Sequence, residues 1–228
     1  MSVWFTGEIR KNMEEYRVVD LDKSYLQRLI NFQEKVYKTI KDKDTFVKSR
    51  VEEYEEFLGG GGKILGFMIN NKLVGYRIIS YNKEEIDHFA EMLKLDTNKD
   101  MLYLDSTIIR KEYRGNHLQR KAIELSLKDA GNNVNFKYAF ATVSPKNIPS
   151  IKSLLYNKVY ITKGRKIYGG KDRFICMYDK DIEIKESREK LLMPLKQYEK
   201  ISNHLENGYM GIHIHNNDNE FLLELVKQ

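Results

Sequence analysis

Apolar positions change their period along the chain, and each change marks an element. Glu14 to Leu21 (EEYRVVDL) alternates as a half-buried strand does. Lys23 to Ile40 places Leu26, Leu29, Ile30, Phe32, Val36 and Ile40 at near-helical spacing, which predicts a helix. Shorter helical material is expected over Asp44 to Leu58, stopped by four glycines, Gly59 to Gly62. The runs KILGFMI and KLVGYRIIS flank Asn70-Asn71 and predict a hairpin. Lys83 to Leu95 reads as a short amphipathic helix, and Leu102 to Ile109 (LYLDSTII) as one strand. A helix from about Leu118 ends at Gly131-Asn132-Asn133. Phe136 to Val143 is a strand, SPKNIPSIKSLLYNK a helix beginning near Asn147, and YITKGRKIYGG and DRFICMYDK two strands joined by a glycine turn. The order β, α, α, β, β, α, β, α, β, α, β, β is an α/β pattern, antiparallel first and helix-connected later.

Beyond Lys180 the charge density rises, and KDIEIKESREK reads as a linker. The expected division is a domain over 1–180 and an α/β extension over 181–228. The extension carries a helix from Pro194 to Glu206, a stop at Gly208 and a short strand containing His213 and His215. Two histidines on one strand face suit a metal, but without a third ligand nearby they read as surface residues.

Composition narrows the classes. The chain has 228 residues, 41% apolar and 11% aromatic, enough for a substantial core. No window approaches eighteen apolar residues, so no membrane span is expected. The N-terminus lacks the apolar core of a secretory signal, and a cytoplasmic location is the expectation. The one cysteine, Cys176, lies in RFICMY and reads as a buried thiol. Net charge is +6, which favours anionic partners. Nucleic acid is not among those expected, because cations and aromatics do not interleave and acids alternate with the cations over most helices.

The charge is concentrated in one place. From Arg110 to Lys121 there are five cations against the single acid Glu112, at a strand-to-helix turn holding Gly115. The first N–H groups of a helix have no internal partner, and the helix dipole adds positive charge there. A glycine lets a ligand approach, so the turn is a candidate cradle for a diphosphate; the alternative is a solvated turn. The four glycines at 59–62 fail as a phosphate loop, since Phe57 stands where a glycine is required and Ile64 follows Lys63.

IIRKEYRGNHLQRKAI resembles the acyl-CoA signature of the GNAT N-acetyltransferase superfamily: arginine or glutamine, two residues, glycine, one residue, then glycine or alanine. ATVSPKNIPSIKSLL and KIYGGKDRFICMYDK are similar to the family's next strand and helix and to its closing hairpin, so the likeness runs from about 14 to 180. The resemblance implies a mixed, mostly antiparallel sheet with splayed strands and flanking helices. It implies an acyl-CoA co-substrate such as acetyl-CoA, and no metal. The pantetheine arm would lie along the backbone of Ile108, Ile109 and Arg110, with Asn147 and Ser150 on the next helix. The pyrophosphate would rest on the amides of Arg114, Gly115, Asn116, His117, Leu118 and Gln119. The reaction implied is acyl transfer to a primary amine of a small molecule or peptide, with a homodimer possible. His117 and Gln119 replace the two motif glycines, Leu154 stands where a tyrosine acid is common, and Lys158 replaces a helix-end glycine. These departures motivate the alternative of a non-catalytic acyl-CoA sensor. Tyr168 and Arg173, at the hairpin tip, would border the acceptor. Asp105 is the candidate base on the strand; its other reading is an acid paired with a neighbour.

Overall fold

The computed structural model describes residues 2–10, 13–184, 189–217 and 220–228. Its strands are β1 (Val3–Glu8), β2 (Glu15–Asp20), β3 (Gly62–Ile69), β4 (Lys72–Ser80), β5 (Asp100–Tyr103), β6 (Thr107–Ile109), β7 (Phe136–Val143), β8 (Tyr160–Ile167), β9 (Lys171–Asp179), β10 (Lys190–Pro194), β11 (Tyr209–Asn217) and β12 (Glu220–Lys227). Its α-helices are α1 (Leu26–Lys38), α2 (Val51–Glu56), α3 (Lys83–Leu93), α4 (Leu118–Gly131), α5 (Ile148–Tyr156) and α6 (Tyr198–Glu206). One sheet runs β1-β2-β3-β4-β5-β7-β9-β8-β11-β12-β10, with β6 pairing β4 to one side of that path. Among the described residues only β5 and β7 pair in parallel; the other pairs are antiparallel, as the resemblance implies.

Alternation along the central strands sorts the helices to two faces. Tyr103, Phe140 and Ile175 pack under α3 with Ile86 and Phe89. Their neighbours Leu102, Ala139, Ala141, Phe174 and Cys176 pack on the opposite face with α4, α5 and α6. α1 and α2 cover β3 and β4 through Leu29, Phe32 and Tyr54 against Ile64, Tyr76 and Ile78. Cys176 is fully buried, and burial raises its pKa well above the usual thiol range.

Several expectations are corrected. β1 was not foreseen; it pairs with β2 and carries no strong alternation. Helical material over 44–58 is confined to a short 3-10 turn, α2 and a glycine-bearing turn (Phe57–Gly61). Residues 46 to 50 are extended because Gln33 grips Ser49 by both backbone groups, donating to its carbonyl at 2.8 Å and accepting from its N–H at 2.9 Å. The strand expected over 102–109 is two strands, β5 and β6, broken at 104–106. Asp105 therefore stands at a break, not mid-strand. The Asn70-Asn71 hairpin is as expected, both residues being left-handed (φ 47° and 59°) as a type I′ turn requires.

The chain after Lys180 holds three strands rather than one. β11 meets β8 at Gly211 and Ile161, so β10, β11 and β12 continue the same sheet. Ile201, Leu205, Leu223 and Leu225 share a core cluster with Ile161 and Phe174. Residues 185 to 188 of the expected linker lie outside the described residues.

Candidate active site

The break at 104–106 opens the sheet. β5 pairs with β7 from Asp100 to Tyr103, and the last bond is Leu104 N–H to the Phe140 carbonyl at 2.7 Å. Beyond it, β6 bonds only to β4, while Ala141 to Val143 of β7 bond only to β9. The two strands diverge, and a cavity of about 890 Å³ lies at the gap. The backbone N–H groups of Asp105 and Ser106, at the head of the gap, donate to no protein acceptor among the described residues. Ser106 O and Arg110 N bond to β4, so alternation turns the backbone groups of Thr107 and Ile109 toward the gap.

At one end of the gap lies the cationic turn. A 3-10 turn (Lys111–Tyr113) leads to Gly115 with φ 83° and His117 with φ 58°, and α4 begins at Leu118 with no side-chain cap. Arg114 N bonds back to Lys111 O, but the N–H groups of residues 115 to 120 have no protein acceptor among the described residues. A Cβ at Gly115 would meet nothing within 4 Å, so the space over the turn is open. Six consecutive free donors at a helix start fit a phosphate-bearing group. Lys121 pairs with Glu124, whereas Arg110, Lys111, Arg114 and Arg120 have no carboxylate partner among the described residues. Arg114 Nε donates to Ile109 O at 3.0 Å, and an arm lying along β6 has to displace that bond. His117 is exposed, and its pKa is lowered by partial desolvation and by Arg120 and Arg10.

Of the expected site residues, Asp105, Gln119, Asn147 and Ser150 line the cavity. Gln119 Nε2 donates to Ser150 Oγ at 3.0 Å, and Asn147 caps α5 by accepting from Ser150 N–H at 3.3 Å. Ile108, Ile109, Arg110, Arg114, Gly115, Asn116, His117 and Leu118 do not line it. Ile108 and Leu118 send their side chains into the core, and Arg110 lies over the Phe32 ring at 5.3 Å.

The other end is acidic. Asp105 is half-buried and forms no ion pair or hydrogen bond through its carboxyl among the described residues. Burial raises its pKa to about 7; Arg77 pulls it down and Glu53 pushes it up. Glu85 is likewise raised to about 7, first by burial and then by Asp105, Glu53 and Glu56. Arg77 is 2% exposed, and burial lowers its pKa to about 10. Tyr103, Thr142 and Tyr168 form a triangle of hydroxyls in the wall, 2.9 to 3.1 Å apart. Arg173 Nη2 donates to Asp44 O at 2.6 Å, which ties the hairpin to the 3-10 turn that precedes residues 46–50. Sequence reasoning missed Arg77, Glu85 and Glu53. A lone arginine inside the apolar run KLVGYRIIS was the available signal for the first; the two glutamates looked like ordinary first-turn acids.

No family model matches the sequence, and no curated protein matches it. Solved structures do. Ribosomal-protein-S5-alanine acetyltransferase from Vibrio fischeri aligns with a TM-score of 0.57 at 14% identity, over 78% of this chain and 97% of that one. An acetyltransferase of the GNAT family from Streptococcus pneumoniae aligns at 0.52 and 17% identity, over 72% and 98%. The fold is that of the GNAT acetyltransferases. Arabidopsis thaliana NAA60, solved with acetyl-CoA, aligns at 0.56 and 14%, over 73% and 99%. His213 and His215, the remaining candidates, pack ring to ring at 4.8 Å with His215 on Glu224 at 2.7 Å; among the described residues no three-ligand cluster forms.

Proposed function

We propose that this protein transfers an acyl group from acyl-CoA to a primary amine. One observation carries the reading: a cavity at the gap between diverging strands holds an unpaired, half-buried carboxyl and reaches Gln119, one of six residues at a helix start whose amides have no protein acceptor among the described residues. The turn at 115–120 holds the diphosphate and the β6 edge the pantetheine arm, with Gln119, Asn147 and Ser150 alongside. The free N–H of Asp105 polarises the thioester carbonyl. Asp105 takes a proton from the acceptor's ammonium, so that the free amine attacks. The new N–C bond forms as the C–S bond breaks, and the nitrogen's surplus proton leaves with the thiolate. Residues 1–180 carry this machinery, and 181–228 brace it as an extension: Tyr198 of α6 donates to the carbonyls of Arg165 and Arg173.

Calorimetry with acetyl-CoA tests the donor half, and no heat up to millimolar concentration rejects it. Free-thiol release over an amine panel tests the transfer. A second reading, an acyl-CoA sensor without turnover, is favoured by Leu154: it is 4% exposed, lines the gap and offers no proton to the thiolate. Binding without thiol release for any amine selects that reading.

A further inference from the structure

The chain is cationic, yet its cavity is lined by seven carboxylates against four lysines and arginines. Two of the acids are already paired, Glu53 with Arg50 and Asp87 with Lys83. Of the other cations, Lys48 pairs with Glu34, Arg173 donates to backbone carbonyls, and Arg77 is buried. Asp105 and Glu85 remain without a contacting cation among the described residues, and Asp105 raises the cost of ionising Glu85. Glu53 and Glu56 stand behind them on α2. Such a group is stabilised by a cation brought from outside.

A second observation concerns a different atom type. Arg77 lines the same cavity and is 2% exposed; its Nη1 donates to Thr107 Oγ1 at 2.7 Å, while Nε and Nη2 find no acceptor. Buried donors without partners are costly, so this pair calls for an oxygen from a ligand. A carboxylate there would lie beside Asp105, and a neutral oxygen avoids that repulsion.

Resting on the acyltransferase reading, we propose that the acceptor is a polyamine with an oxygen near the reacting nitrogen. Its reacting ammonium goes to Asp105, its second ammonium to Glu85 with Glu53 and Glu56 behind, and its hydroxyl or carbonyl oxygen to Arg77. This chemistry belongs to hydroxylated diamines and amino sugars rather than to simple monoamines or acidic peptides.

Three probes on the same three-carbon skeleton separate the elements: propylamine, 1,3-diaminopropane and 1,3-diamino-2-propanol. With acetyl-CoA, kcat/KM is expected to rise about tenfold from the first to the second, one charge-assisted contact's worth, and again by severalfold to the third. Glu85→Gln should lower the diamine-to-monoamine ratio about tenfold, and Arg77→Met should abolish the gain from the hydroxyl. Circular dichroism establishes that each variant is folded, and Glu85→Asp, which keeps the charge, should restore part of the ratio. Equal turnover of all three amines overturns this proposal and leaves the acyltransferase reading standing. If no amine releases thiol, the transfer reading fails. Calorimetric affinities of the three amines then decide this one: a diamine preference lost in Glu85→Gln supports it, and no preference overturns it.

Discussion

The two ends of the gap enforce opposite charge by different means. The turn at 115–120 presents backbone N–H groups at an exposed surface, with unpaired arginines around it. The acidic end presents side-chain carboxyls in a protein-lined recess, where burial has moved two of them to about 7. Backbone donors survive almost any substitution, which explains how His117 and Gln119 can stand at motif glycines while the free amides persist. Carboxyls vanish with one mutation, and in a poorly solvated recess each counts for more than a surface charge does. Side-chain changes should therefore hurt the acidic end, and only backbone changes the turn.

The largest expected effect is at Asp105. Asp105→Asn should lower kcat/KM for any amine by about 10² to 10⁴, the range for a lost general base, with the affinity for CoA unchanged. The base works ionised, so wild-type kcat/KM should fall as pH drops below about 7, and the variant should lose that limb. Stability has the opposite sign. The folded pKa lies above the unfolded value, so the folded state binds the proton more tightly and loses stability as pH rises from about 4 to about 7. Asp105→Asn should thus raise Tm at pH 8 and leave it nearly unchanged at pH 4. A loss of Tm at pH 8 would show a structural carboxylate instead.

At the turn, Gly115→Val is the matching test. Gly115 sits at φ 83°, where a β-branched residue is strained, and its new side chain would project into the open space over the amides. The Kd for CoA should rise about tenfold, a cost of about 1.4 kcal/mol. The KM for the amine should hold. A shift in amine KM equal to that in Kd would mean that the two ends are not separable.

The extension gives a third, smaller handle on the acidic end. A Cβ at Gly164 would come within 2.0 Å of Ser202 Oγ, because α6 lies directly on β8 there. Gly164→Ala should cost about 1–3 kcal/mol by overpacking, read as a fall in Tm. Since Tyr198 of α6 also holds the Arg173 carbonyl, the amine KM should rise by a small factor while CoA affinity stays constant.

What the sequence made legible follows from locality. Period and turn chemistry are local, so α1, the Asn70-Asn71 hairpin, α4 and the β8–β9 hairpin were readable from residue spacing alone. The break at 104–106 left only a weak trace, the three polar residues Asp105 to Thr107 inside an apolar, β-branched run, and the departure of β7 is what opens it. The extended 46–50 wall depends on Gln33, sixteen residues away from Ser49. One tail strand was legible, but that β10, β11 and β12 pair together and join the main sheet through Gly211 against Ile161 was not, because those pairings are non-local. At the site, the turn was visible as a charge cluster, and Asp105 as an acid in an apolar strand. Glu85 and Arg77 join them only when α3 and β4 are brought to one recess.

The smallest expected effect tests the turn once more, at His117. Its left-handed φ of 58° costs a non-glycine residue about 1 kcal/mol, which glycine relieves while losing more entropy on folding, so His117→Gly should move stability by less than about 0.5 kcal/mol. Partial desolvation and the nearby Arg120 and Arg10 disfavour the imidazolium, so removing the ring subtracts little positive charge from the turn. It only clears a side chain beside the open amides. Affinity for CoA should therefore stay level or tighten up to about threefold, under 1 kcal/mol. A tenfold loss would show that the ring itself grips the phosphates, and the contrast between a backbone-built end and a side-chain-built end would then fail.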